Sequence, residues 1–236
     1  MKKLKNLAII PMRGGSKRIP KKNIKPFFGK PIFLYTLEEA KKCKLFDEIM
    51  ISTDSEEIAQ LCRDHDGNIP FMRPPELATD EARLGDVCAN VIQTYENKEV
   101  YFENFCILWA TAPMRTAEDI KNAYQLLDEK TEAVVGVSEF DYPLFCAQYL
   151  AQSGELVPVF PDLCMAPAKE HPQAVVDNSS MCWVKTAAFK EQGTWLPKRL
   201  KGYSMPRSRS VDIDTQQQWD QAEFFFNKFL KERDRI

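Results

Sequence analysis

Apolar and polar positions alternate in blocks along the first half of the chain, which predicts that strands and helices take turns. Apolar runs typical of buried strands lie at residues 7–11, 47–53, 69–72, 104–111 and 132–138. Apolar residues recur at helical spacing in the intervening segments 31–44, 56–65, 85–97 and 117–129. Strands that alternate with helices of roughly 10–15 residues indicate βαβ units. The sequence therefore predicts a Rossmann-like α/β fold, with a mainly parallel sheet and helices on both faces.

This rhythm breaks between residues 139 and 176, a segment that holds five prolines and no long helical pattern. We interpret it as a β-rich arm inserted into a single domain that spans residues 1–236. Beyond the arm, apolar runs at 180–185 and 211–213 predict two more strands. A final helix is then expected to open at Thr215 and to run to about Lys231.

The segment after the first predicted strand carries a concentration of positive charge. Between residues 12 and 30 the chain has no acidic residue and seven cations, which are Arg13, Lys17, Arg18, Lys21, Lys22, Lys25 and Lys30. Ligands of α/β proteins gather at the carboxyl ends of the strands, so this loop lies where a ligand would bind. For the lysine run taken alone, a solvated basic loop is the alternative.

The residue types in this loop suit a phosphate group. Adjacent glycines, Gly14 and Gly15, allow backbone N–H groups to converge on an anion. Arg13 offers a bidentate donor, whereas Lys17 and Lys22 offer compact charges. Further hydroxyl and amide donors come from Ser16 and Asn23. We therefore interpret the loop as a phosphate cradle, although it lacks the GxxxxGK[ST] spacing of the P-loop.

The composition argues against several other classes of protein. A net charge of −2 is unlike that of a general nucleic-acid binder, which is usually basic. The seven cysteines show no paired spacing, and with only two histidines a zinc site is not expected. The longest apolar run falls short of the ~20 residues that a membrane-spanning helix needs. We expect a cytoplasmic protein with no nucleic-acid or membrane partner.

Two acidic residues near the end of the chain, Asp212 and Asp214, complement the basic loop. Residues two apart on a strand project to the same face, so the two carboxylates would converge. A hard divalent cation such as Mg²⁺ would relieve their repulsion and would neutralise phosphate oxygens. The alternative is structural, because Asp214 is also placed to cap the helix that begins near Thr215.

Motifs along nearly the whole chain resemble those of the CMP-nonulosonate synthetases, which are the acylneuraminate, pseudaminic acid and legionaminic acid cytidylyltransferases. The matching segments are "LAIIPMRGGSKRIPKKNIKPFFGKPI" (7–32), "STDSEEIA" (52–59), "RPPELATD" (73–80), "TAPMRTAEDI" (111–120) and "VDIDT" (211–215). Arg18 stands where sialate enzymes more often carry glycine, which favours the pseudaminate branch.

The resemblance implies a fold of the nucleotide-diphospho-sugar transferase type and a homodimer formed through the arm. It also implies the reaction: CMP passes from CTP to the anomeric hydroxyl of an acidic nine-carbon 2-keto sugar, pyrophosphate leaves, and Mg²⁺ is required. The residues that would act in catalysis are Arg13, Lys22, Asp212 and Asp214, and the two aspartates would bind the metal.

The resemblance further implies which residues bind each substrate. The residues that would contact the nucleotide are Pro11, Met12, Arg13, Gly14, Gly15, Ser16, Lys17, Lys22, Asn23, Arg73 and Ala82. The residues that would contact the sugar are Trp109, Thr111, Arg115, Tyr142 and Asn178. Trp109 and Ala110 depart from the glutamine and proline of sialate enzymes, so the identity of the sugar is not copied from them.

Several alternatives stay open at the level of sequence. Arg73 could instead pair with Glu76 or Asp80, and Asp54 could face the site or cap the following helix. A 3-deoxy-octulosonate cytidylyltransferase and a glycosyltransferase with a DxD metal motif are rival enzymes. A catalytically inactive nucleotide-binding regulator is the rival outside enzymes, although such a protein would be expected to lose its acid pair.

Overall fold

A computed structural model describes residues 1–140 and 142–233. The strands are β1 (Lys2–Pro11), β2 (Pro26–Phe27), β3 (Lys30–Pro31), β4 (Glu48–Ser52), β5 (Val100–Leu108), β6 (Ala133–Glu139), β7 (Gln148–Leu150), β8 (Leu156–Pro158), β9 (Val175–Lys185) and β10 (Leu200–Ser204). The helices are α1 (Phe33–Cys43), α2 (Glu56–Asp64), α3 (Leu84–Glu96), α4 (Ala117–Gln125), α5 (Thr186–Gln192) and α6 (Gln216–Arg233).

The central sheet has six strands in the order β10-β6-β9-β5-β1-β4. β1 runs parallel to β4 and β5, and β10 runs parallel to β6, whereas β9 is antiparallel to both of its neighbours. The prediction of a mainly parallel sheet is therefore confirmed. The strand order also places the carboxyl ends of β4, β1 and β5 side by side, where a ligand site is expected.

Alternate residues of the central strands face two separate cores. In β1, Ala8 and Ile10 pack with α1, α2 and α4, whereas Leu7 and Ile9 pack on the opposite face with α3 and α5. The same alternation continues through β5 and β9, because successive side chains of a strand point to opposite faces. Helices thus cover both faces of the sheet, as the sequence predicts.

A third, mainly aromatic cluster joins the two ends of the chain. Phe27, at the end of the basic loop, packs against Trp219 and Phe226 of α6, with ring centroids 5.3 and 5.1 Å apart. The buried residue Ile213 belongs to the same cluster. This packing brings the segment that carries Asp212 and Asp214 next to the basic loop, nearly 200 residues away in sequence.

Two of the strand predictions, at residues 69–72 and 211–213, are wrong. Residues 69–72 are irregular, and only the isolated bridge between Met50 and Asn68 continues the sheet nearby. Residues 211–213 are also irregular, because the chain there turns into the capped start of α6. The sequence analysis also missed α5 and β10, which are short.

The segment between β6 and β9 leaves the central sheet. Its described residues form a small antiparallel hairpin of β7 and β8 and several single 3₁₀ turns. Leu150, Leu156 and Val157 of this hairpin are exposed. In the described part of the chain no helix is long and apolar enough to cross a membrane.

Candidate functional site

A cavity of about 430 Å³ opens where β1, β4 and β5 end. It brings together most of the residues that the sequence analysis selected, namely Pro11, Arg13, Ser16, Lys17, Lys22, Asn23, Arg73, Ala82, Trp109, Thr111, Asp212 and Asp214. Basic side chains and the two aspartates line part of it. Apolar side chains also line it, among them Leu77, Leu84, Val87 and Trp109.

The basic loop is held by one hydrogen bond within the loop and by one to Asp54, which follows β4. The N–H of Gly14 donates to Asp54 Oδ1 at 2.9 Å, and the Asn23 amide donates to the carbonyl of Arg13 at 3.1 Å. A methyl group on Gly14 would lie 3.0 Å from the Cβ of Ser55, so glycine permits this close approach. Asp54 therefore faces the loop, while Ser55 caps α2 by accepting the N–H of Ile58.

The carboxylate of Asp80 is shared by two cations of the loop. Its Oδ1 accepts a hydrogen bond from Arg13 at 3.0 Å, and its Oδ2 accepts one from Lys17. Arg13 also donates to the carbonyl of Thr79 at 3.1 Å. The bonds from Lys17 and Arg13 lower the pKa of Asp80, and the bond to Asp80 raises the pKa of Lys17.

Asp214 lies between two further cations of the loop. Lys22 donates to its Oδ1 at 2.9 Å, and Arg18 donates to its Oδ2 at 2.8 Å. Burial opposes ionisation, but the hydrogen bond and charge of Lys22, together with the charge of Arg18, outweigh it and lower the pKa of Asp214. The α6 cap is formed instead by Thr215, whose hydroxyl accepts the N–H of Gln218 at 3.3 Å.

Asp212 has a different environment from Asp214. Its Oδ2 accepts a hydrogen bond from the hydroxyl of Ser179 at 3.1 Å. Burial, followed by repulsion from Asp214, raises the pKa of Asp212. Ser179 lies within β9, where the register with β6 shifts, and it adopts a left-handed backbone conformation with φ of 50°.

A buried polar network holds the segment that carries both aspartates. The Ser138 hydroxyl donates to the carbonyl of Met205 at 3.0 Å and lies 2.6 Å from the hydroxyl of Ser210. Asn178 donates to the same Ser138 oxygen at 3.1 Å. Because all of these groups are buried and satisfied, the network fixes residues 205–210 against β6 and β9.

Asp212 and Asp214 have the donor type that a hard divalent cation requires, since both present carboxylate oxygens to the cavity. In residues 1–140 and 142–233, no group of three or more histidine, cysteine, aspartate and glutamate side chains is arranged to hold a metal ion. Two carboxylates fit Mg²⁺, which is commonly bound through one or two carboxylates together with substrate phosphates and water. The residues present thus fit a metal that binds together with a phosphate ligand.

A second cavity, of about 660 Å³, adjoins the first one at Asp212, which lines both. Its walls come from the base of the arm and the start of β9, and include Tyr142, Leu144, Asp177, Asn178 and Arg207. The site therefore consists of two cavities that adjoin at Asp212.

Comparison with known proteins identifies the family. Residues 7–182 match the model of the cytidylyltransferase family. The chain belongs to the cytidylyltransferase family. The match covers the second half of β1, the basic loop and most of β9, and ends before the segment that carries Asp212 and Asp214.

Two curated relatives and one solved structure are similar to this cytidylyltransferase. Pseudaminic acid cytidylyltransferase of Campylobacter jejuni subsp. jejuni is 31% identical, over 94% of this chain and 97% of its own. CMP-N,N'-diacetyllegionaminic acid synthase of Legionella pneumophila subsp. pneumophila is 30% identical, over 90% and 92%. CMP:2-keto-3-deoxy-manno-octonic acid synthetase, solved in complex with CTP, superposes with a TM-score of 0.71 at 14% identity, over 95% and 99%. The last likeness concerns the fold alone.

Some residues selected from the sequence lie outside the first cavity of this cytidylyltransferase. Met12 is fully buried in the core, and its N–H donates to the carbonyl of Ser52 at 2.8 Å. Tyr142 and Asn178 line the second cavity instead, where Tyr142 is 84% exposed and Asn178 belongs to the polar network. Gly15 lies in the loop with open space around its Cα.

Arg115, selected as a sugar contact, is 1% exposed and lies in the interior. One of its terminal nitrogens donates to the carbonyl of Ser180, and its Nε and other terminal nitrogen have no hydrogen-bond partner among the described residues. Burial lowers the pKa of Arg115 to about 10. The side chain therefore supports the middle of β9 from the interior and does not line the cavity.

Arg73 reaches the cavity from a position that is 7% exposed. Its Nε donates to the Ser52 hydroxyl at 3.1 Å, and a terminal nitrogen donates to the Ser52 carbonyl at 2.7 Å. Burial lowers the pKa of Arg73, and the charge of Asp54 partly offsets this. The alternative of a pair with Asp80 is not what the structure shows, since Asp80 binds Arg13 and Lys17.

Sequence reasoning missed four polar residues of the cavity as site residues: Arg18, Thr79, Asp80 and Ser179. Arg18 was noted among the seven cations, and its position between Lys17 and Lys22 was the available signal. Asp80 lies within a quoted motif, but nothing local shows that it meets the loop. No sequence signal that we recognise marks Ser179.

Proposed function

We propose that this cytidylyltransferase transfers CMP from CTP to the anomeric hydroxyl of an acidic nine-carbon 2-keto sugar, with Mg²⁺ as cofactor and release of pyrophosphate. The observation that carries the proposal is the pairing of Lys22 with Asp214 at 2.9 Å. It brings the phosphate-type loop and the acid pair into one cavity, and these are the two halves that nucleotidyl transfer requires.

The nucleotide would lie along the first cavity. The triphosphate would be held by Arg13, Ser16, Lys17 and Lys22, whose charges oppose the charge that develops on the leaving pyrophosphate. The cytosine would pack on the apolar wall formed by Ala82 and its neighbours. Arg73 and Asn23 also line this cavity and would lie near the base and the ribose of the nucleotide.

In the reaction, the oxygen of the anomeric hydroxyl would attack the α-phosphorus as the bond from that phosphorus to the pyrophosphate oxygen breaks. The hydroxyl proton would be lost to solvent. The chain would contribute by aligning the two substrates and by stabilising charge, with no enzyme nucleophile. Mg²⁺, held by Asp212 and Asp214, would supply neutralisation of charge on the triphosphate.

We propose that the acceptor sugar binds in the second cavity, because this cavity adjoins the first one, where the nucleotide would lie, at Asp212. Tyr142 and Asn178 would line the sugar site, while Trp109 and Thr111 would border it from the first cavity. The Campylobacter relative is a pseudaminic acid cytidylyltransferase. Together with Arg18, this favours pseudaminic acid over sialic and legionaminic acids as the acceptor.

Two alternatives have less support. A 3-deoxy-octulosonate cytidylyltransferase shares the fold, but the solved example is only 14% identical. An inactive nucleotide-binding regulator would not need the acid pair, whereas here Asp214 keeps contacts with both Lys22 and Arg18.

We also propose that the protein is a homodimer that forms through the arm. Exposed apolar side chains crowd the β7–β8 hairpin, namely Tyr149 (65%), Leu150 (74%), Leu156 (61%) and Val157 (51%). A two-stranded hairpin has little stability of its own, and a large exposed apolar patch marks an interface. A second copy of the chain would cover it. The seven free cysteines suit a reducing compartment, and we place the enzyme in the cytoplasm.

The test is to measure pyrophosphate release from CTP with Mg²⁺ and a panel of acids: pseudaminic, legionaminic, N-acetylneuraminic and 3-deoxy-octulosonic. We expect turnover with at least one nine-carbon acid, highest with pseudaminic acid, and little with ATP, GTP or UTP. Absence of turnover with every acid, or equal turnover with all four nucleotides, would contradict the proposal. A preference for 3-deoxy-octulosonic acid would favour the first alternative.

A further inference from the structure

Four cations of the first cavity are already paired with, and partly neutralised by, carboxylates of the chain itself. Arg13 and Lys17 share the carboxylate of Asp80, and Arg18 and Lys22 share that of Asp214. Each carboxylate carries one negative charge and meets two positive ones, so each pair of cations keeps an excess of positive charge. A polyphosphate that enters the cavity has to compete with these two carboxylates.

Arg18 and Lys22 are held to different degrees. The Lys22 ammonium donates to the Ile213 carbonyl at 2.5 Å as well as to Asp214, and its side chain is 18% exposed. The Arg18 side chain is 66% exposed, and its only hydrogen-bond acceptor within residues 1–140 and 142–233 is Asp214 Oδ2. An exposed pair of this kind contributes little to stability, so Arg18 is the easier of the two to displace.

We propose that Arg18 is a phosphate-binding residue that pairs with Asp214 until a phosphate ligand binds. In the free protein the guanidinium pairs with Asp214, and when a nucleoside triphosphate binds it transfers to phosphate oxygens. The transfer exchanges one monodentate contact for a bidentate one, which the guanidinium fork favours. It also frees Asp214 Oδ2, so the second oxygen of Asp214 becomes available to a divalent cation when phosphate arrives.

This inference rests on the proposed function, since it takes the cavity to be a polyphosphate site and Asp214 to face a metal. It assigns a role to a residue that the resemblance left without one. It also predicts the order of binding, with phosphate before metal. Without a phosphate ligand, both oxygens of Asp214 accept hydrogen bonds from Lys22 and Arg18, so a divalent cation alone binds poorly.

The first experiment titrates inorganic tripolyphosphate into metal-free protein by calorimetry. The variants are Arg18→Gln, Arg18→Lys and Lys21→Gln. Lys21 is the matched control, because it lies in the same loop but pairs with Glu57, outside the cavity. We expect roughly tenfold weaker binding for Arg18→Gln, an intermediate loss for Arg18→Lys, and a change of less than about twofold for Lys21→Gln.

The second experiment measures Mn²⁺ binding by electron paramagnetic resonance without nucleotide. Arg18→Gln is expected to bind Mn²⁺ several-fold more tightly than the wild type, because it frees an oxygen of Asp214, whereas Lys21→Gln is expected to match the wild type. Equal tripolyphosphate affinities for the wild type and Arg18→Gln would overturn the inference and leave the phosphate site intact. A wild type that binds no tripolyphosphate at all would overturn the proposed function as well.

Discussion

The carboxylate of Asp54 accepts the backbone N–H of Gly14 at 2.9 Å, and so the residue after β4 fixes the loop that follows β1. β1 and β4 are parallel neighbours, and Pro11 and Ser52 are register partners at their ends. The contact therefore joins the segments that follow two adjacent strands. The shape of the loop therefore does not depend on glycine alone. An anchored N–H also limits the number of backbone donors that a phosphate could use.

Replacing Asp54 with alanine should weaken nucleotide binding more than it weakens the fold. We expect KM for CTP to rise about tenfold, because a charge-assisted hydrogen bond of about 1.5–3 kcal/mol is lost from the loop. Asp54→Asn keeps an acceptor oxygen and should recover most of the affinity.

Ser55→Ala is the control for this prediction. It removes the cap of α2 and should cost about 1 kcal/mol of unfolding free energy with KM for CTP unchanged. Steady-state kinetics and urea unfolding of the three variants separate the two effects. If Ser55→Ala raised KM as much as Asp54→Ala does, the anchoring role of Asp54 would be wrong.

A second prediction concerns Asp80, which holds Arg13 and Lys17 in the free protein. Asp80→Asn removes a carboxylate that competes with the triphosphate, so KM for CTP should fall several-fold at low ionic strength. The gain should shrink as salt is added, because the competing pairs are exposed. Glu81→Gln changes the same charge one residue away and should leave KM nearly unaltered. A rise in KM for Asp80→Asn would show that Asp80 orients the cations productively instead.

The basic half of the site was predictable from sequence because a general rule places it. Ligands meet the carboxyl ends of parallel strands, and the loop after the first strand concentrated cations and glycines there. Asp80 and Ser179 follow no such rule. Asp80 reaches the cavity from an irregular segment and Ser179 from the part of β9 where the register shifts, and both positions depend on packing between distant parts of the chain.

The two aspartates of the predicted acid pair line the first cavity, but not through the strand geometry that was expected. Asp212 and Asp214 were expected to share a face of a strand, yet residues 211–214 form no strand. Their position results from the buried side chain of Ile213 and from the cap of α6. That cap is visible in sequence as Thr215 followed three residues later by Gln218, a capping-box spacing. Recognising this spacing would have assigned the cap of α6 to Thr215 instead of Asp214.

A third prediction concerns the pH dependence of stability. Asp119 is 3% exposed and pairs with Arg209 at 2.7 and 2.9 Å. Burial opposes ionisation, but the bonds from Arg209 and Thr116 outweigh it and hold the pKa of Asp119 below its ordinary value of 3.8. A carboxyl whose pKa is lower in the folded state stabilises the fold above its unfolded pKa. That contribution is lost as the pH falls through the folded value.

Asp119→Asn should therefore lower the unfolding free energy by about 3 kcal/mol at pH 7, as breaking a buried ion pair does. The gap between the variant and the wild type should narrow below about pH 4, where the carboxyl becomes protonated in the unfolded chain but keeps its charge in the folded one until the pH reaches the lower folded pKa. Urea unfolding between pH 7 and pH 3 checks both statements. Asp128→Asn, which breaks an exposed pair with Lys201, should give a smaller change. A gap that stayed constant with pH would contradict the assignment.

A fourth prediction uses tryptophan fluorescence to report on the first cavity. Trp109 lines this cavity and contacts Trp195, with ring centroids 5.8 Å apart, whereas Trp183 and Trp219 are buried in the core. Binding of CTP should therefore change the emission mainly through Trp109. Trp109→Phe should lose most of the change and Trp219→Phe should keep it. A full response in Trp109→Phe would place the nucleotide elsewhere.

The last prediction tests the proposed dimer through the β7–β8 hairpin. Leu156 is the register partner of Leu150, and both side chains are largely exposed, so a charge at one of them would be buried against apolar surface in a dimer. Leu156→Asp should therefore convert the wild-type mass of two 27.2 kDa chains to that of one chain, measured by light scattering at micromolar concentration. Phe224→Asp, on an exposed position of α6, is the control and should leave the mass unchanged. A wild type that has the mass of a single chain would refute the proposal directly. A dimer that survives Leu156→Asp but not Phe224→Asp would move the interface from the arm to the last helix.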